Sequence, residues 1–99
     1  MKLSLEFQLQ AIKNAQTAML QHGAPTKRLI DTLSSRGGME TVKELCKRHR
    51  VSDGFDDLCS KGHGELTLEA LAVQGKYGSL FTDEEVNSCL DVLMQAGYF

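Results

Sequence analysis

The sequence predicts an all-α fold, a compact single-domain bundle of about five to six short helices. Three observations carry that prediction. Strand signals are missing: no period-two alternation of apolar and polar residues is sustained, and β-branched runs are few. Apolar residues instead recur at three- and four-residue steps, the helical repeat. Glycines stand where such helices should stop, and the 99 residues contain one proline. A chain of 99 residues makes one domain, 1–99, rather than two. Its 41% hydrophobic and 24% charged content is that of an ordinary globular protein.

The first helix is expected over residues 5–22, with Leu5, Leu9, Ile12, Ala15 and Met19 as its apolar stripe, Ser4 as cap and Gly23 as stop. Pro25 suits the first turn of a second helix, in which Leu29, Ile30 and Leu33 face inward and Gly37 ends the run. A third helix is expected from Met39 to His49, burying Met39, Val42, Leu45 and Cys46. A short helix from Asp53 to Lys61 follows, capped by Ser52 and stopped by Gly62. Thr67 opens the next, in "LTLEALAV". The last helix has the fullest signature. In "FTDEEVNSCLDVLMQAG", Thr82 and Glu85 have the spacing of a capping box, and Phe81 and Val86 that of a hydrophobic staple. Asp83, Glu84 and Glu85 lie at the positive end of the helix dipole, and Val86, Cys89, Leu90 and Leu93 form the inward stripe before Gly97.

Charge is unevenly distributed. Residues 27–50 carry seven basic and three acidic groups, a balance of +4, whereas residues 51–99 carry two basic and nine acidic groups, a balance of −7. The net charge of −2 does not describe a polycation built for nucleic acid. No apolar run reaches the ~20 residues of a membrane span. Glu6 and Gln8 interrupt what would have to be an apolar signal-peptide core, so a soluble, cytoplasmic protein is expected, in the host-cell cytoplasm if phage-encoded. Three cysteines fit reduced thiols better than a disulfide framework.

"CKRHRVSDGFDDLCSKGH" raises the question of zinc. Cys46 and His49 are three apart, and Cys59 and His63 four apart, so each pair could share a helix face. The order Cys-His-Cys-His and the nine-residue gap depart from common zinc-finger spacing. Cys46 also falls on the apolar stripe of its helix, Cys59 lies beside Leu58, and His49 is flanked by Lys47, Arg48 and Arg50. The expectation is therefore no metal and no cofactor. A phosphate loop, a zinc-protease motif and a nucleophile elbow are all missing, and adjacent Asp56 and Asp57 diverge by about 100° on a helix, a poor acid–base pair. The reading is of a protein that is not an enzyme.

"ELCKRHRVSDGFDDLCSKG" resembles a helix-turn-helix, with Arg50 at the left-handed turn position. Its second helix, however, would bring Asp53, Asp56 and Asp57 to DNA phosphates, where carboxylates are repelled. Lys43, Lys47, Arg48 and Arg50 keep a phosphate-binding patch as the alternative.

From "GFDDLCSKGHGELTLEALAV" through "YGSLFTDEEVNSCLDVLMQAGYF", residues 54–99, the chain resembles the C-terminal part of small helical bacterial and phage proteins, mostly uncharacterised. The likeness rests on Gly54-Phe55, Leu58, Gly62, "LTLEAL" and "LFTDEEV" leading to Gly97-Tyr98. An aromatic residue is common in such proteins at the position of Cys59, which argues further against zinc. The resemblance implies a prokaryotic or phage origin and assigns no activity.

The functional expectation is a non-enzymatic protein-binding protein. Its concrete form is a phage-type, anti-CRISPR-like inhibitor of a host defence complex, whose acidic face fills a basic groove that normally holds nucleic acid. Asp53, Asp56, Asp57, Asp83, Glu84 and Glu85 are the candidate partner-binding residues. A small nucleic-acid-binding regulator using residues 43–50 is the alternative, and a zinc-binding helical domain built on Cys46, His49, Cys59 and His63 comes third.

Overall fold

A computed structural model of the chain describes residues 2–98. Its α-helices are α1 (Leu3–His22), α2 (Lys27–Arg36), α3 (Gly38–Lys47), α4 (Phe55–Ser60), α5 (Leu68–Ala72) and α6 (Asp83–Gln95), and single 3-10 segments cover Gly64–Leu66 and Gly75–Leu80. Every regular element among the described residues is helical, so the all-α expectation holds. Phe99, the last residue of the resemblance, lies outside the described residues.

The first helix corrects the sequence reading. Phe7, Ala11, Ala15 and Ala18 are the buried face of α1, while Leu5 and Leu9 are 45% and 49% exposed. At about 100° per residue, Leu5, Leu9 and Leu20 lie roughly opposite the buried set. Leu5, Leu9 and Leu20 thus face water, while Phe7 and the alanines face the core, with Leu3 and Ile12 packed at its edge. The alanines let α2 approach closely, and Thr26, itself buried, donates its hydroxyl to the Ala15 carbonyl at 2.7 Å. Ser4 does not cap: Lys2 occupies the cap position, and no side chain closes that end. Gly23 ends the helix in the left-handed conformation, as expected.

Phe7 is the centre of the main core. Its ring meets Tyr77 at 5.1 Å and Phe81 at 5.3 Å between centroids, both edge to face. Leu29 and Leu33 from α2, Val42 from α3, Leu68 and Leu71 from α5 and Cys89 from α6 complete that core. Gly38 is buried at the start of α3 because a β-carbon there would stand 2.7 Å from the Phe7 ring. A smaller cluster joins Phe55 of α4, Ala70 of α5 and Leu93 of α6.

Helix α4 begins at Phe55, two residues later than expected, and Ser52 is not its cap. Thr67 caps α5, accepting from the Ala70 amide at 3.1 Å. The capping box at α6 is complete: the Glu85 amide donates to Thr82 Oγ1 at 3.2 Å, and the Thr82 amide donates to Glu85 Oε1 at 2.8 Å. Along α6, Cys89 and Leu93 are buried, whereas Val86 and Leu90 are half-buried.

Three helix ends share one hydrogen-bond pattern. The amide three positions past the helix reaches five residues back: Arg50 to the Leu45 carbonyl, His63 to Leu58, and Tyr98 to Leu93. The residue before each, His49, Gly62 or Gly97, is left-handed, the geometry of a Schellman cap. His49, with φ 54°, is the one non-glycine residue of positive φ among the described residues. The left-handed residue is therefore His49 and not Arg50.

Thr82→Ala removes the acceptor for the Glu85 amide and should cost about 1 kcal/mol. For a domain of this size the melting temperature should fall by about 4–8 °C. An unchanged melting curve would show that the capping box contributes nothing.

Candidate functional site

The six acidic candidates do not form one face. Asp53 is tied to Arg28 through two hydrogen bonds of 2.9 Å. Asp57 faces Lys61 at 3.2 Å, an ion pair without hydrogen-bond geometry. Glu85 serves the capping box and also accepts from Lys43 at 2.9 Å. Burial alone would raise the Glu85 pKa, but the Thr82 amide and the Lys43 ammonium outweigh it and hold the carboxyl below its ordinary value. Asp56, Asp83 and Glu84 are exposed and make no ion pair among the described residues. These three are also separated. Phe55, beside Asp56, packs with Leu93, which lies ten residues, or about 15 Å at 1.5 Å per residue, beyond Asp83 along α6.

The basic candidates divide in the same way. Lys43 is engaged by Glu85, and Arg48 pairs with Glu44 at 2.6 Å. Lys47 and Arg50 are exposed without an ion pair among the described residues.

The four zinc candidates are not brought together. Cys59 packs against the cluster of Phe55, Ala70 and Leu93. His63 stacks on His22, with ring centroids 3.8 Å apart. Among the described residues no three His, Cys, Asp or Glu side chains converge in a way that could hold a metal ion.

Cys46 and His49 do share a place, a cleft of about 160 Å³ between α3, α5 and α6. Helix α3 supplies Val42, Leu45 and Cys46, and the Schellman turn that ends it adds His49 and Arg50. Helix α5 contributes Leu68 and Glu69. Ser88, Cys89, Asp91 and Val92 come from α6. The Cys46 thiol donates to the Glu85 carbonyl at 3.7 Å, and Cys89 lies close beside it. Burial pushes the Cys46 and Cys89 thiols up, as it does Cys59, so all three favour the protonated form.

Glu69 escaped the sequence reading. It is 4% exposed, and its two oxygens accept from the Ser52 amide at 2.7 Å and the Ser52 hydroxyl at 2.6 Å. Ser52 was expected to cap α4; instead it satisfies a buried carboxyl on α5 and so anchors the 48–54 segment. Burial raises the Glu69 pKa, and the Ser52 bonds offset only part of that. The one sequence signal was a charged residue inside the apolar run "LTLEALA".

A second feature lies on the opposite side of α1. Leu5 and Leu9, one turn apart, form an outward apolar pair, and Leu20, 77% exposed, lies about 16 Å farther along the same side with exposed Lys13 and Gln16 between. Lys2 and Lys13 make no ion pair among the described residues. An open groove lined by Leu5, Gln8, Gly38 and Met39 continues from the pair toward the α2–α3 junction. Leu5 and Leu9 were expected in the core stripe with Ile12, Ala15 and Met19, of which Ala15 is buried.

No helix among the described residues is long and apolar enough to cross a membrane. Comparison with protein-family models, with curated proteins and with solved structures returned no match.

The raised Glu69 pKa has a defined consequence. The folded state holds that proton more tightly than the unfolded chain. The stability it contributes is full below the unfolded carboxyl pKa of about 4.3 and is lost as pH rises through the higher folded value. Glu69→Gln keeps an acceptor for the Ser52 amide and cannot ionise. Its stability relative to wild type should increase from pH 4 to pH 7 in denaturant titrations. Glu69→Leu leaves the buried Ser52 amide unsatisfied and should lose about 1–3 kcal/mol. A Glu69→Gln difference that is the same at both pH values would contradict this account.

Proposed function

We propose that this chain is a non-enzymatic protein-binding protein, and that its principal contact is the outer face of α1. The observation that carries this is the pair Leu5 and Leu9, large apolar side chains about half exposed one turn apart beside an open groove, with Leu20 exposed farther along the same side of the helix. A single exposed leucine needs no explanation, but an apolar pair at the mouth of a groove has the form of a helix-docking surface. Lys2 and Lys13 near the pair favour a partner helix that is apolar on one face and acidic at its edge. The protonated state of the three thiols supports the non-enzymatic part, since a nucleophilic cysteine needs its thiolate.

A second reading keeps the phage-type, anti-CRISPR-like inhibitor with a basic partner groove. It rests on Asp56, Asp83 and Glu84, the carboxylates among the six candidates that no cation engages. Asp56 stands on α4 and Asp83 and Glu84 in the first turn of α6, so unpaired carboxylates at separate places would meet a long basic groove rather than a single point. Asp53, Asp57 and Glu85 contribute less to such a contact because each is already paired.

Two variants separate the readings. Both are used as baits beside wild type, with each captured protein quantified and then tested in purified form. Leu5→Glu with Leu9→Glu should weaken partner binding at least tenfold, because buried apolar anchors each contribute more than about 1 kcal/mol. Melting temperature should stay within a few degrees, since both sites are on the surface. Asp56→Asn with Asp83→Asn and Glu84→Gln should change mainly the salt dependence. If the acidic variant abolishes binding and the leucine variant does not, the basic-groove inhibitor replaces the α1 reading. A wild-type dimer that the leucine variant converts to monomer would make the leucine pair a self-association surface. Binding to random duplex DNA that fades steeply with salt would favour the regulator built on Lys47 and Arg50.

A further inference from the structure

The cleft between α3, α5 and α6 plays no part in a contact along α1. We propose that it binds a small amphiphile with an apolar body and a zwitterionic head, of which an aliphatic or aromatic α-amino acid is the simplest. The volume of about 160 Å³ admits one such body: an apolar cavity of roughly this size accommodates a benzene ring. Val42, Leu45, Leu68 and Val92 give it apolar walls.

The polar groups around the cleft divide into spent and unspent. Both Glu69 oxygens are occupied by Ser52. Cys46 donates to the Glu85 carbonyl, and Cys89 is a buried thiol, at most a weak donor. None of these offers a strong open partner to a ligand. Arg50 and Asp91 do. Both line the cleft, both are exposed, and neither forms an ion pair among the described residues. Two opposite charges at one rim that do not pair with each other leave room for a molecule that carries both. A carboxylate suits the Arg50 guanidinium, and an ammonium suits Asp91. A purely anionic ligand would meet Asp91 unfavourably, and a purely cationic one would meet Arg50. His49 and Ser88 add further hydrogen-bonding groups to the lining.

The backbone adds an independent observation. The turn that brings Arg50 to the rim is the Schellman cap at His49, where a histidine stands in a left-handed conformation that glycine fills at Gly62 and Gly97. Left-handed backbone costs a non-glycine residue about 1–2 kcal/mol, and such strain gathers at binding sites. Here the strained residue is itself a wall of the cleft.

The test uses the full chain labelled with ¹⁵N. L-phenylalanine and L-leucine are titrated in, alongside 3-phenylpropionate, which lacks the ammonium, and phenethylamine, which lacks the carboxylate. At least one amino acid should shift the amides of Val42, Leu45, Arg50, Leu68 and Val92 with a Kd below about 1 mM, and both single-charge analogues should bind at least tenfold more weakly. Arg50→Gln and Asp91→Asn alter exposed side chains without internal ion pairs, so both should fold. Arg50→Gln should reduce phenylalanine binding to the level of phenethylamine, and Asp91→Asn should reduce it to that of 3-phenylpropionate. The proposal is overturned if neither amino acid shifts those amides at about 10 mM. Equal binding of all three phenyl compounds, or full affinity in both variants, also overturns it.

Discussion

Phe7 is the contact on which the other elements depend. Its ring is fully buried, meets Tyr77 and Phe81 edge-on, and rests against Gly38 at the start of α3. Each aromatic pair contributes about 0.5–1.5 kcal/mol beyond the area it buries. Position matters more than that sum. Phe81 directly precedes the Thr82 cap, so holding Phe81 fixes where α6 begins. Glu85 in the first turn of α6 then reaches Lys43 on α3, and Cys89 one turn later lies against Cys46. One side chain on α1 thereby sets the register between α3 and α6, and with it the cleft that they share with α5.

Apart from Phe7, the fully buried positions of α1 are alanines, with Leu3 and Ile12 packed against the core at their edge. Small residues let α2 lie close enough for the buried Thr26 hydroxyl to reach the Ala15 carbonyl, a contact that a larger side chain would block. Leu5, Leu9 and Leu20 of the same helix are then left outside. Evolution of a monomeric surface tends to keep apolar groups dispersed.

Charge in this fold is handled largely by pairing within the molecule. The −7 balance of residues 51–99 becomes less uniform once Asp53 meets Arg28, Asp57 meets Lys61 and Glu85 meets Lys43. Exposed pairs of this kind contribute little to stability. They leave Asp56 on α4 and Asp83 and Glu84 at the start of α6 as separate unpaired carboxylates in place of one acidic face. Glu69 is the opposite case, a buried carboxyl satisfied by one serine and held toward its protonated form by burial. It ties the segment after α3 to α5 at the wall of the cleft.

Local chemistry was sufficient for the all-α class, for Gly23, Gly62 and Gly97 as helix stops, and for the Thr67 and Thr82 caps. Each depends on backbone groups within a few residues, so sequence spacing specifies it. The inward face of α1 could not be read that way. Both sides of that helix are apolar, and periodicity cannot tell leucines that face water from alanines that face α2; only the packed Phe7 decides it. Ser52 looked like a cap because it precedes a short helix, yet its amide and hydroxyl go to Glu69, seventeen residues away. The left-handed position fell on His49 because the last carbonyls of α3 are closed by amides at 49 and 50. The candidate site was legible only in pieces. Cys46, His49 and Arg50 were visible as a cluster, but their true companions, Glu69, Cys89 and Asp91, come from α5 and α6. Sequence order keeps those groups apart, and the docking of three helices around one core brings them to the same cleft.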